Sequence, residues 1–172
     1  MVVSINLLFL LGEYGYDSGV AGVVTSVFFL AMMLPGLFIN SLVDALGRNI
    51  LLWAMLLIAL GLIDVYYNRS LAFVVTGCVA TGFGYGMAQP YIYDKVSASA
   101  SPQKVTYALA LLMSMNYVAI VIAPFIVDWA QHMFGIKGER FPFMLNGVIG
   151  FAALLFLLLL KVYYNRRKEN YE

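Results

Sequence analysis

Charge is scarce in this chain, and so are the residues from which catalytic and metal sites are most often built. Only 11% of its 172 residues are Asp, Glu, Lys or Arg, while 63% are hydrophobic. There is a single cysteine, Cys78, and a single histidine, His132. One cysteine excludes an internal disulfide and any paired-cysteine redox or zinc pattern. Inside an apolar run it reads as a small buried side chain. A net charge of +1 gives no reason to expect nucleic acid as a partner. No basic segment precedes the opening apolar run, and Gly12-Glu13-Tyr14-Gly15-Tyr16 is not a small-residue cleavage site, which speaks against a signal peptide. No GxSx motif occurs, and the sequence places His132 in a loop after the fifth span, so an intramembrane hydrolase has neither nucleophile nor base. No cofactor is expected.

What is abundant is long apolar sequence. A soluble domain of this length cannot bury so much apolar surface, so the lipid bilayer is the expected solvent. Five runs, Val20 to Leu42, Ile50 to Tyr67, Leu71 to Tyr93, Tyr107 to Val127 and Phe143 to Leu160, are each long enough as helices to cross a hydrocarbon core of about 30 Å. The opening run, Met1 to Gly12, would reach only about 18 Å as a helix. It reads as the second half of a helix whose first half is missing, and hence as part of a larger membrane protein. The expected fold class is all-α: a polytopic bundle over residues 1–164, with five full spans and a truncated first helix. A cytoplasmic basic tail is expected over residues 165–172.

Loop charge sets the orientation. If the spans alternate, Arg48, Lys95, Lys104, Lys161, Arg166, Arg167 and Lys168 share one side, against Arg69, Lys137 and Arg140 on the other. The first group is therefore expected in the cytoplasm, with both termini.

The spans differ in texture. The third (Leu51 to Leu62) and sixth (Phe151 to Leu160) are nearly uniform and read as lipid-facing. The fourth carries Gly77, Thr81, Gly82, Gly84 and Gly86, with Gly82 and Gly86 forming a GxxxG pair that admits a neighbouring backbone. Pro35, Pro90 and Pro124 favour kinks. In the fifth span Asn116, Ala119 and Ala123 share one face.

Asn116 is the most notable polar residue, because a buried amide in lipid needs partners. It either hydrogen-bonds substrate in a central cavity or ties two helices together. Gln89 either lines that cavity or is solvated at the membrane interface. Tyr85, Ser114 and Tyr117 are weaker candidates that also suit packing. Phe29 and Met32, with Phe28 and Met33, either line an apolar cavity or pack against helices and lipid. Glu13, Asp17, Asp64 and Asp128 all fall near span ends. Glu13 is the one candidate here for a coupling proton, and the protonation site is expected in the other half of the protein.

Between the second and third spans the chain reads Asn40-Ser41-Leu42-Val43-Asp44-Ala45-Leu46-Gly47-Arg48-Asn49-Ile50-Leu51-Leu52. This resembles the loop signature G-x-L-A-D-R-x-G-R-K-x-x-L of the major facilitator superfamily, matching at Leu42, Asp44, Gly47, Arg48 and Leu52. Asn40, Ala45 and Asn49 depart from it. In that family the degenerate form follows helix eight, so the six spans resemble helices seven to twelve. Gly82 to Pro90 and Asn116 to Pro124 are similar to the tenth and eleventh helices. The resemblance implies a secondary transporter working by alternating access, with Asp44, Gly47 and Arg48 as a gating latch at the cytoplasmic surface. Asp44 is read as lying near the start of the next helix, where the macrodipole favours a carboxylate.

The resulting expectation is the C-terminal half of a small-molecule exporter in a plasma membrane, the bacterial inner membrane in particular. Its partners would be the lipid bilayer, a small-molecule substrate, a missing N-terminal six-helix half and a coupling proton. Spans one, two, four and five would face the cavity. A self-pairing half-transporter and a structural membrane subunit without transport activity are the alternatives.

Overall fold

The computed structural model describes residues 2–136 and 138–169. Lys137, part of the loop-charge count, and residues 170–172 of the expected tail lie outside the described residues, as do the side chains of Arg167 and Lys168. The described chain is helical throughout: α1 (Val2–Glu13), α2 (Ser18–Leu37), α3 (Ile39–Leu46), a 3₁₀ turn (Gly47–Asn49), α4 (Ile50–Tyr67), α5 (Leu71–Ser99), α6 (Val105–Phe134) and α7 (Phe141–Glu169). Five helical stretches are long and apolar enough to cross a membrane, and α1 is a shorter apolar helix. The chain is an integral membrane bundle of five spans and one shorter apolar helix.

Local chemistry sets several boundaries. The Asp17 carboxylate accepts a hydrogen bond from the Val20 amide at 3.0 Å and caps α2. Asp17→Ala is expected to cost about 1 kcal/mol, read as a small fall in unfolding temperature in detergent. Pro35 sits in the last turn of α2, and the chain breaks at Phe38, whose amide bonds back to the Pro35 carbonyl at 3.1 Å. The second apolar run is thus divided between a spanning helix and the short α3. α5 and α6 continue unbroken through Pro90 and Pro124.

The long helices overrun the apolar runs. α6 reaches Phe134, so His132 lies in its last turn rather than in a loop, 3.5 Å from Asp128 one turn earlier. Hydropathy marks only the part of a helix that lipid can cover. An amphipathic turn beyond the headgroups leaves no such trace.

Packing centres on α5. Gly82 and Gly86 face α2: a Cβ at Gly82 would stand 2.5 Å from the Phe28 carbonyl oxygen, and one at Gly86 would collide with the Met32 carbonyl. Gly77 and Gly84 face α4, where they meet Gly61 and Ala54. The small residues thus let α5 press backbone to backbone against two helices at once.

α4 packs against both α5 and α7 and buries Ile50, Ala54, Ile58, Ala59, Gly61, Leu62 and Val65. The third span is therefore a central helix rather than a lipid-facing one. Ala54, Ala59 and Gly61 were the sign of it, hidden among large aliphatic residues. α6, expected to face the cavity, buries only Ala130 of its 30 residues within this chain. The main core joins Leu7, Leu10 and Leu11 of α1 to Val24 and Phe28 of α2, Leu62 of α4, Cys78 of α5 and Phe143 of α7.

Candidate functional site

α5 and α6 meet only lightly, and the space between them, closed on one side by α4, forms a cavity of about 280 Å³. Met55 of α4, Tyr85, Ala88, Gln89, Ile92 and Tyr93 of α5, and Leu112, Met115 and Asn116 of α6 line it. The α5 positions 85, 88, 89, 92 and 93 follow helical spacing, as do 112, 115 and 116 on α6, so each helix offers one face to the cavity. The walls are aliphatic and thioether. Four of the lining residues carry polar groups: Tyr85 and Tyr93 with hydroxyls, Gln89 and Asn116 with amides. None of the lining residues is charged.

The hydrogen bonding divides these groups. Gln89 donates through Nε2 to the Tyr93 hydroxyl oxygen at 3.0 Å, one turn along α5. That bond orients both side chains across the cavity wall. The Asn116 side chain makes no hydrogen bond among the described residues, although its amide can make four.

Three of the sequence candidates, Tyr85, Gln89 and Asn116, come together in this cavity; the others do not. Ser114 donates to the Ala110 carbonyl at 2.8 Å and is satisfied within its own helix. Tyr117 is 67% exposed and does not line the cavity. Phe29 stacks edge-on against Phe28, with ring centres 5.3 Å apart, and Met32 meets Gly86 through its backbone. Both lie on α2, away from the cavity. Sequence reasoning missed Tyr93, Met55, Leu112 and Met115. Tyr93 falls at the end of its apolar run, where an aromatic ring suits the headgroup level, yet its spacing of four from Gln89 puts the two on one face. Met115 was hidden as an ordinary apolar neighbour of Asn116.

Glu13 lies at the end of α1, in a separate crevice with Tyr66, Arg69, Arg140 and Phe141. Beside it, Arg140 stacks over the Tyr14 ring at 4.8 Å. Burial pushes the Tyr14 phenol above its ordinary value, a shift that Arg140 opposes.

The signature loop is not a loop for most of its length. Asn40 to Leu46 lie in α3, and Asp44 falls in the last turn of that helix, six residues before α4 begins. The macrodipole reason given for Asp44 therefore fails: its nearest helix terminus is a C-terminus, which favours positive charge. Gly47 ends α3 with φ +52°, in the region that favours glycine, and its amide bonds to the Val43 carbonyl. Arg48 then points into a crevice between α4 and α7. Asp44 and Arg48 are both exposed.

The sequence pattern of the Major Facilitator Superfamily matches residues 1–172. No curated protein matches the chain.

Proposed function

The chain belongs to the major facilitator superfamily, whose members are secondary transporters and not enzymes, and from that premise we propose that it forms the C-terminal half of an exporter of neutral, largely apolar small molecules. The observation that carries the substrate class is the cavity between α4, α5 and α6. It has thioether and aliphatic walls, four uncharged polar groups and no ionised side chain. A site of that kind selects by shape and a few hydrogen bonds rather than by charge. Asn116, Gln89 and Tyr85, with Tyr93 added, are the proposed contacts, while Ser114, Tyr117, Phe29 and Met32 are set aside.

The exposure of α6 supports the half-transporter reading. Lipid could cover its apolar residues but would leave the Asn116 amide unpaired, at a cost that a second helical half would remove. Rocking of the two halves would open the cavity to either side in turn. Asp44, Gly47 and Arg48 are proposed to latch the halves at the cytoplasmic surface, with both termini on that side of a bacterial inner membrane. Glu13 stands apart from the cavity, so the coupling proton is proposed to bind in the other half.

The test is efflux from proteoliposomes that hold only this chain, with neutral fluorescent dyes as cargo. The expected result is inserted protein without saturable flux. Saturable flux from the chain alone would overturn the half-transporter reading in favour of a self-pairing one. A scaffold subunit would be shown by a flux-competent assembly indifferent to changes at Asn116 and Gln89.

A further inference from the structure

Toward the turn between α5 and α6, the cavity of α4, α5 and α6 is followed by a larger crevice of about 480 Å³, walled by the same three helices. The two spaces share Ile92 of α5. Their other walls continue in register. Leu51 lies one turn before Met55 on α4, and Ala108 lies one turn before Leu112 on α6. Val96 and Ser99 extend the α5 face that carries Tyr85, Gln89 and Ile92. Each helix thus runs one stripe of side chains from crevice to cavity, and half-buried Ile92 stands at the boundary. The chemistry changes there. The cavity is lined by two amides and two phenols, whereas the crevice has no amide. The Ser99 hydroxyl is satisfied within its own helix, donating to the Lys95 carbonyl at 2.7 Å. The Lys95 ammonium sits over the Tyr91 ring, 5.3 Å from its centre. What remains of the wall is hydrocarbon.

We propose that this crevice is the intake of the cargo site: a neutral apolar molecule leaves the adjoining lipid leaflet, passes between Leu51, Val96 and Ala108, and enters the cavity past Ile92. The proposal rests on reading that cavity as the cargo site. Placed polar groups hold and orient a small molecule. A wall of hydrocarbon offers the same weak contact at every step, so it is a place to pass rather than to stop. Size agrees, since a crevice of about 480 Å³ has room for what a cavity of about 280 Å³ can hold. The same walls favour cargo already dissolved in lipid over cargo arriving from water, because hydrocarbon gives a hydrated molecule nothing in exchange for its water. The route lies within this one half. Loading would not require the two halves to part, and rocking would serve release on the other side.

The experiment is stopped-flow fluorescence of a neutral, environment-sensitive dye binding to the full chain in lipid nanodiscs. A passage governs rates and leaves affinity alone. Ala108→Trp places an indole in the crevice, one turn away from the cavity lining. It is expected to slow association and dissociation alike, by about tenfold, at unchanged Kd. Val96→Phe narrows the crevice from the opposite wall and should act the same way, which covers a failure of the Ala108 variant to fold. Ala98→Trp is the control: that position is exposed on α5, lines neither space, and should leave both rates as they are. Unchanged rates in the crevice variants would overturn the intake, as when a resident acyl chain fills the crevice and cargo enters elsewhere. So would a loss of affinity without matched slowing, which would make the crevice part of the binding site. With two dyes of equal size, association should follow their concentrations in lipid; rates that follow the aqueous concentrations would overturn uptake from the leaflet. Asn116→Leu tests the cavity itself and should speed dissociation without changing association. Absence of that effect would overturn the cargo-site reading and the intake with it, whereas an Asn116 effect without an Ala108 or Val96 effect would overturn the intake alone.

Discussion

Gly61→Val is expected to lower the unfolding temperature of the bundle in detergent by about 10 °C, corresponding to about 3 kcal/mol. At Gly61 a Cβ would stand 2.5 Å from the Gly77 carbonyl oxygen and 2.8 Å from the Thr81 amide nitrogen, and it would also collide with the Thr81 hydroxyl. Two of these three obstacles are backbone atoms, which cannot rotate aside. The third belongs to a fully buried threonine that donates to the Gly77 carbonyl at 2.8 Å. The only relief is to move α4 away from α5 and open their crossing. Gly22→Val is the matched control, because nothing lies within 4 Å of a Cβ there and the position is exposed on α2. Size-exclusion recovery after heating would read both variants. A Gly61 variant as heat-stable as the Gly22 variant would mean that the two backbones do not touch.

The second large effect concerns transport. Asn116→Leu keeps the branched outline of the side chain and removes its hydrogen-bonding capacity. In the transport-competent assembly it is expected to raise the half-saturation concentration for cargo about tenfold or more, the worth of one to two kcal/mol of lost hydrogen bonding. Gln89→Leu should have a comparable effect by two routes, losing its own contact and freeing the Tyr93 hydroxyl from a 3.0 Å bond. Ser114→Ala lies two residues from Asn116 but should be silent, because that hydroxyl is already bonded to the Ala110 carbonyl. Initial-rate efflux across a range of dye concentrations separates the three. If Ser114→Ala proved as damaging as Asn116→Leu, the cavity would not be the cargo site.

The fold class was legible because lipid imposes a strict demand: every backbone amide in the hydrocarbon must be satisfied internally, so long apolar runs must be helices. The glycines of α5 were legible for a related reason, since five small residues in a span have few uses other than close packing. What the sequence concealed was which helix neighbours which. The third span looked uniform by average hydropathy, yet Ala54, Ala59 and Gly61 place it between α5 and α7. The signature segment was read as a loop because its motif is polar, while its geometry is an amphipathic helix ending at Gly47. Within the candidate site, Asn116 and Gln89 stood out because amides are costly in lipid. Tyr93 and the methionines did not, because aromatic and thioether side chains are equally at home in lipid, at the interface and in a cavity.

One contact in the core sets the order in which this protein can be completed. Phe143, at the beginning of α7, is fully buried in the same cluster as Leu7, Leu10 and Leu11 of α1. Within this chain α1 is therefore sealed by a helix that follows it by some 130 residues of sequence. Until α7 has been made α1 holds only part of its final surroundings, and contacts of such long sequence separation form slowly. Biogenesis, rather than the finished bundle, is where this chain is most vulnerable to membrane quality control. A mutation at Phe143 would be felt first as a lower yield of inserted protein.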